Sequence, residues 1–140
     1  MRLPLVPRHG DLKLENVLGD AAHPEGLRIL DWELFAPLGL PLLDLWHLIV
    51  SRRARATGCS MGAAVRRWLL PRDLTAVERG VVQRLGRDLD PRYVEVSPVL
   101  YWLDRLGPVA ARGGWPAGGW ERSNVVQVLE DIRPSSEVRG

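Results

Sequence analysis

The sequence predicts an α+β fold that is mainly α: a small β-hairpin followed by about five helices. Three observations carry that prediction. Two short apolar runs, Asn16-Val17-Leu18-Gly19 and Leu27-Arg28-Ile29-Leu30, flank a turn rich in Pro, Gly and Asp at 20–26, which is a hairpin pattern. From residue 40 onward, apolar residues recur at three- and four-residue spacing, which gathers them on one side of a helix. Prolines and glycines divide that stretch into segments of ordinary helix length.

Taken in order, the apolar run from Leu3 to Val6, bounded by prolines, reads as an edge strand. Residues 8–16 read as a polar loop. The hairpin follows and displays Asn16 at one end and Asp31 at the other. Residues 41–56 carry Leu42, Leu45, Trp46 and Ile49 at helical spacing, with Pro41 in the first turn. A second helix is expected over 60–70. Leu74, Val77, Val81, Val82, Leu85 and Leu89 mark an amphipathic third helix starting near Asp73. Pro91 opens a fourth, with Val96, Val99, Leu100, Leu103 and Leu106 inward and Pro98 as a kink. Residues 107–119 read as a loop holding Trp115, 120–132 as a last helix, and 134–140 as a flexible tail. The organisation is one lobe over 1–133, with chemistry-bearing residues at 8–33 and a helical body at 40–133.

Bulk composition excludes several classes. The chain has 140 residues, 46% hydrophobic and 26% charged, a globular composition for one domain or one lobe. A net charge of +2 gives no nucleic-acid footprint. Arg52, Arg53, Arg55, Arg66 and Arg67 read as solvated helix faces. Of 19 basic residues, only Lys13 is lysine. Cys59, the single cysteine, can form neither an internal disulfide nor a thiolate cluster, which fits a reducing cytoplasm. No apolar stretch reaches the ~18 residues of a membrane span. The segment Met1 to Pro7 is too short and too proline-broken for a signal peptide.

The chemistry concentrates in His9-Gly10-Asp11-Leu12-Lys13-Leu14-Glu15-Asn16 and in Asp31-Trp32-Glu33. Phosphoryl transfer asks protein mainly for a placed hydroxyl, an in-line phosphate and charge neutralisation by metal. Asp11 can accept or orient a hydroxyl proton, and a weakly basic carboxylate suffices for a loose transition state. Magnesium takes oxygen ligands, few of them from protein. Asn16 offers a neutral oxygen and Asp31 a charged one.

His9-Gly10-Asp11-x-x-x-x-Asn16, followed by Leu30-Asp31-Trp32-Glu33 and Pro41-Leu42-Leu43-Asp44-Leu45, resembles the catalytic core of the aminoglycoside phosphotransferase and choline kinase group, relatives of the protein kinases. The resemblance covers 8–50, and 51–133 only in general helical character. It implies the C-terminal lobe of a protein-kinase-like fold that uses ATP and magnesium to phosphorylate a small hydroxylated acceptor. It implies Asp11 as catalytic base, Asn16 and Asp31 as magnesium ligands, and His9 as an internal brace of the catalytic loop. Lys13 would contact phosphate, and Leu18 and Ile29 would form the apolar floor under adenine. Asp44 would tie the loop's backbone to the following helix, and Glu33 would support the metal site from behind.

Two departures choose among relatives. Position 10 is glycine where protein kinases carry an arginine that answers a phosphorylated activation loop. Asp44 follows Trp32 by only twelve positions, which leaves no room for an activation segment, so a small acceptor is expected rather than a protein. A third departure is the front. The glycine-rich loop, lysine and glutamate of kinase-like enzymes precede the catalytic loop, and no G-x-G-x-x-G occurs in these 140 residues. The alternative expectation is therefore a non-catalytic orphan lobe acting as a binding module, or a lobe that needs its N-lobe in trans. In either case Leu5, Val6, Leu18 and Ile29 would form an open patch inviting self-association or an N-lobe partner.

Overall fold

A computed structural model describes residues 3–20, 22–112 and 119–132. The fold is α+β and mainly α, with two small two-stranded antiparallel sheets and five helices among the described residues. Strands β2 (Val17–Leu18) and β3 (Arg28–Ile29) form the expected hairpin, with Val17 opposite Ile29 and Leu18 opposite Arg28. The other sheet pairs β1 (Val6–Arg8) with β4 (Ala36–Gly39), with an irregular register between Val6 and Arg8. This corrects the expectation at the N-terminus: the strand begins where the apolar run ends, and its partner lies in a segment with no strand pattern. Pro37 in β4 cannot donate to a ladder, and it is exposed on an edge strand, where proline is tolerated.

The helical body follows. Helix α1 spans Leu43–Thr57 and is preceded by Leu42 in the left-handed region at φ 66°. Pro41 therefore stands before the helix rather than in its first turn, and its carbonyl accepts the Tyr93 hydroxyl at 2.7 Å. Helix α2 (Met61–Ala64) opens on a Ser60 cap and continues through wider turns over Val65–Leu69. Helix α3 is Ala76–Gly86 and α4 is Pro91–Ala111. Helix α5, Gln127–Ile132, is entered through wider turns at Arg122–Val126.

Four helical expectations need correction. Helix α3 starts from Thr75, not near Asp73, because the Thr75 hydroxyl accepts from the Glu78 amide while Glu78 accepts from the Thr75 amide. That reciprocal pair satisfies two otherwise orphaned donors. Of its expected apolar stripe only Leu74, which precedes the helix, and Val82 are buried, whereas Val77 and Leu85 stand exposed. Helix α4 runs through Gly107-Pro108 to Ala111, so the loop expected from 107 is five residues shorter at its start. Its inward face is Tyr93, Ser97, Pro98, Tyr101, Trp102 and Leu106, while Val96 and Leu103 face out. Aromatic and hydroxyl side chains won that face because their polar tips find partners inside: the Trp46 indole donates to Ser97 at 2.9 Å, and the Trp102 indole to the Asn124 carbonyl at 2.8 Å. The core lies among α1, α2, α4 and α5, with Leu43, Trp46, Val50, Val65, Leu69, Tyr93, Tyr101 and Val128 fully buried. Trp115 and the tail at 134–140 lie outside the described residues.

Glu78 also fastens α3 to α1. Its carboxylate accepts from Arg52 at 2.6 Å and from Arg53. Burial alone would raise its pKa, but Arg53, the Thr75 amide and Arg52 hold it down to about 2. A folded pKa below the unfolded value of 4.5 adds stability that is present above pH 4.5 and lost as the pH falls toward 2. That shift corresponds to roughly 3 kcal/mol. Glu78→Gln is expected to lose most of it at pH 7, and chemical unfolding across pH 2–5 should then show a flatter stability profile than the native chain.

Candidate active site

The loop at 9–16 is held to the helical body from three sides. Asp44, in the first turn of α1, accepts from the His9 amide at 2.6 Å and the Gly10 amide at 3.0 Å. Arg105 of α4 donates to the Gly10 carbonyl at 2.8 Å. Glu15 pairs with Arg55 of α1. Arg8, just before the loop, forks onto Asp104 of α4 at 3.1 and 2.8 Å. The loop is thus positioned by helices that follow it in sequence.

His9 is buried, at 4% exposure. Its Nε2 lies 2.7 Å from the Leu30 carbonyl, which can only accept, so Nε2 carries the proton and Nδ1 is free to take the Asp11 amide at 3.3 Å. The ring also stacks obliquely on Trp32, with centroids 4.7 Å apart. His9 thereby joins the loop to the segment that ends in Asp31. Asn16, also buried, donates its side-chain amide to the Asp11 carbonyl at 2.9 Å and closes the loop on itself. That bond uses the nitrogen end and leaves Oδ1 as the available atom.

The Asp11 carboxylate is the focus of the network. His47 Nε2 donates to Oδ1 at 2.9 Å, and Lys13 Nζ donates to Oδ2 at 2.6 Å. Arg105 Nη2 approaches Oδ1 at 3.6 Å. Burial pushes the carboxyl up, but the Lys13 and His47 interactions outweigh it and hold Asp11 below the usual carboxylate range. His47 is itself buried, and burial together with the Arg105 charge lowers its pKa to about 4 against the pull of Asp11. It is therefore neutral at pH 7, with the proton on Nε2, and its Nδ1 accepts from the Tyr101 hydroxyl at 3.0 Å. Burial pushes Tyr101 up and keeps that hydroxyl protonated. Tyr101, His47 and Asp11 form a chain of hydrogen bonds from the core to the loop surface. The bond to Asp11 raises the Lys13 pKa, and the Asp31 and Glu15 charges reinforce it.

The structure brings His9, Asp11, Lys13, Asn16 and Asp44 into one network. Asp31 follows β3 in the left-handed region at φ 61°, exposed. Glu33 is exposed and makes no hydrogen bond among the described residues. The expected adenine floor needs one correction. Leu18 pairs with Arg28, and Ile29 with Val17, so the pleat sends Leu18 and Ile29 to opposite faces. Leu30, 43% exposed, shares the side of Leu18 by that alternation. The sequence reads His47 as an ordinary helix histidine beside Trp46 and does not bring forward Tyr101 or Arg105. A signal existed for each pair: Asp44 and His47 are three apart on α1, and Tyr101 and Arg105 four apart on α4, spacings that put side chains on one face.

Among the described residues, no group of three or more His, Cys, Asp or Glu side chains could hold a metal ion. No helix among them is long and apolar enough to cross a membrane. No family model, curated protein or solved structure matches the chain.

Proposed function

We propose that this chain carries the catalytic loop and metal ligands of an ATP- and magnesium-dependent phosphotransferase that acts on a hydroxyl of a small molecule in the cytoplasm. The observation that carries the reading is the closed loop: Asn16 bonds the Asp11 carbonyl while Asp44 takes the two amides just before Asp11. In this reading the closure holds the acid and the amide within one braced loop, as positioning catalysis requires.

In this reading Asp11 is the base. His47 occupies Oδ1 from inside, and Tyr101 fixes the imidazole tautomer behind it. Among the described residues Oδ2 is held only by Lys13, whose side chain is one-third exposed, so in this reading Oδ2 is the atom that receives the acceptor's hydroxyl proton. Asp11 stays a weak base, which suits a loose transition state in which orienting the nucleophile matters more than deprotonating it early. Lys13, held charged between Asp11 and Asp31, is placed to turn toward a phosphate. Asn16 Oδ1 and the Asp31 carboxylate are the oxygens offered to magnesium. Two protein ligands suit an ion that keeps its remaining positions for water and phosphate. Magnesium, when bound, supplies charge neutralisation at the phosphate oxygens.

A second reading is a non-catalytic module that binds through the hairpin and the loops beside it. It is favoured by the open side chains of Leu14, Leu18, Ile29, Leu30 and Trp32, each at least 41% exposed. One assay separates the two. The full-length gene product is incubated with ATP and hydroxylated acceptors, and ADP release is followed against magnesium concentration. The phosphotransferase reading expects release that depends on both acceptor and magnesium. Asp31→Asn should raise the half-saturating magnesium concentration by about tenfold or more. Release from no acceptor at any magnesium concentration would leave the binding module.

A further inference from the structure

A cavity of about 530 Å³ lies between α3 and the start of α4 and touches no residue of the catalytic loop. Its volume is that of a small-ligand site. Leu74, Val82, Leu89 and Val94 wall it. Gly86 lets α3 come close to α4 at its floor, since a Cβ there would stand 3.1 Å from the Val94 side chain. The charged groups of the lining are Arg72, Arg79, Arg87 and Glu95.

Two of these guanidiniums are held by neutral groups. Pro98 has no N–H for the Val94 carbonyl four residues before it. Arg72 Nη2 donates to that carbonyl at 3.1 Å, beside Ser97 Oγ at 2.9 Å, and also to the Glu95 carbonyl. A left-handed backbone at φ 57° turns Arg72 toward α4, a conformation uncommon for a residue with a side chain. Arg79 Nη2 donates to the Leu74 carbonyl at 3.0 Å. A carbonyl orders a guanidinium but does not cancel its charge. Arg53 and Arg66, by contrast, rest on the carboxylates of Glu78 and Asp131. The Nε and Nη1 of Arg72 and of Arg79 have no partner among the described residues. Glu95 is the single acid in the lining, and its carboxylate bonds to none of the three arginines. Arg87 has Asp88 beside it at 3.3 Å. Giving Glu95 wholly to one of Arg72 and Arg79 still leaves the other unmatched. The cavity therefore pairs an apolar wall with at least one surplus guanidinium whose rotamer is already fixed, which lowers the ordering cost of binding an anion.

We propose that this cavity binds a small amphipathic anion, with a carboxylate or phosphate head on Arg72 and Arg79 and a hydrocarbon body against Leu74, Val82, Leu89 and Val94. A neutral hydrocarbon would leave the guanidiniums without an anion, and a bare anion would leave the apolar wall in water. No part of this site depends on phosphoryl transfer, so it stands or falls apart from that reading.

The test is a titration of the isotope-labelled gene product with octanoate, octyl phosphate, 1-octanol or inorganic phosphate, followed by amide chemical shifts. Octanoate or octyl phosphate is expected to shift Gln83, Gly86 and Glu95 saturably, and the tighter of the two identifies the head group. Octanol and inorganic phosphate should each bind about tenfold more weakly or worse. Arg79, exposed on α3, can be changed with little risk to the fold: Arg79→Gln should weaken the tighter anion by about tenfold. Glu95→Gln removes the competing carboxylate and should strengthen it. Octanol as tight as both anions, or inorganic phosphate as tight as octyl phosphate, overturns the proposal. So does anion binding that ignores either substitution, or no saturable shift with octanoate or octyl phosphate. Should Arg79→Gln fail to fold, Glu95→Gln decides the matter alone.

Discussion

Asp11→Asn is expected to lower turnover by roughly 10²- to 10⁴-fold, the span of a general base, while leaving nucleotide affinity within a few-fold. The substitution keeps the side chain's shape, and its Oδ1 can still accept from His47 Nε2, which lies 2.9 Å from that atom in the native chain. Oδ2 becomes an amide nitrogen facing Lys13 Nζ across 2.6 Å. Two donors then confront each other, so Lys13 swings away and the proton acceptor is gone. The loop itself stays closed, because Asn16 bonds the backbone carbonyl of residue 11 and not its side chain. A fall in kcat with nucleotide binding preserved, measured by steady-state kinetics and calorimetry on the full-length gene product, is the expected pair of results. Turnover within tenfold of the native value would remove Asp11 from the base's role.

That contrast between side chain and backbone also explains what the sequence could disclose. The Asp11-to-Asn16 closure spans five residues, so a local motif encodes it and spacing reveals it. The hairpin of β2 and β3 is likewise local, set by the turn at 20–26. His47 reaches Asp11 across 36 positions, and Arg105 reaches Gly10 across 95. No periodicity announces such a meeting, and each residue alone reads as an ordinary helix position. Strand β4 was hidden for two reasons: Pro37 and Gly39 read as turn formers, and its partner β1 lies far back in the chain. Gly107-Pro108 looked like a helix end, yet α4 carries both. A proline within a helix loses one hydrogen bond, and the burial of Tyr101, Trp102 and Leu106 just before it offsets that loss.

Gly10→Ala is expected to destabilise the fold by about 2–4 kcal/mol and to abolish acceptor-dependent turnover. Two separate costs meet at this residue. Its backbone lies at φ +85°, a region that costs an L-residue about 1–2 kcal/mol. An added Cβ would also stand 2.4 Å from the Leu34 carbonyl and 2.8 Å from the Leu34 side chain, so something must move. The backbone has little freedom to yield, since Asp44 holds the Gly10 amide and Arg105 its carbonyl. Strain would pass to the Asp11 carboxylate or to the segment carrying Asp31. Gly58, at φ +67° with open space where its Cβ would go, supplies the comparison: Gly58→Ala carries the backbone cost alone, about 1 kcal/mol. Chemical unfolding of both variants separates strain from collision, and equal losses would show that the Leu34 contact is unimportant. The comparison also bears on the absent arginine. No side chain fits at position 10, whichever acceptor the protein serves, so packing of the loop against Leu34 is sufficient to require glycine there.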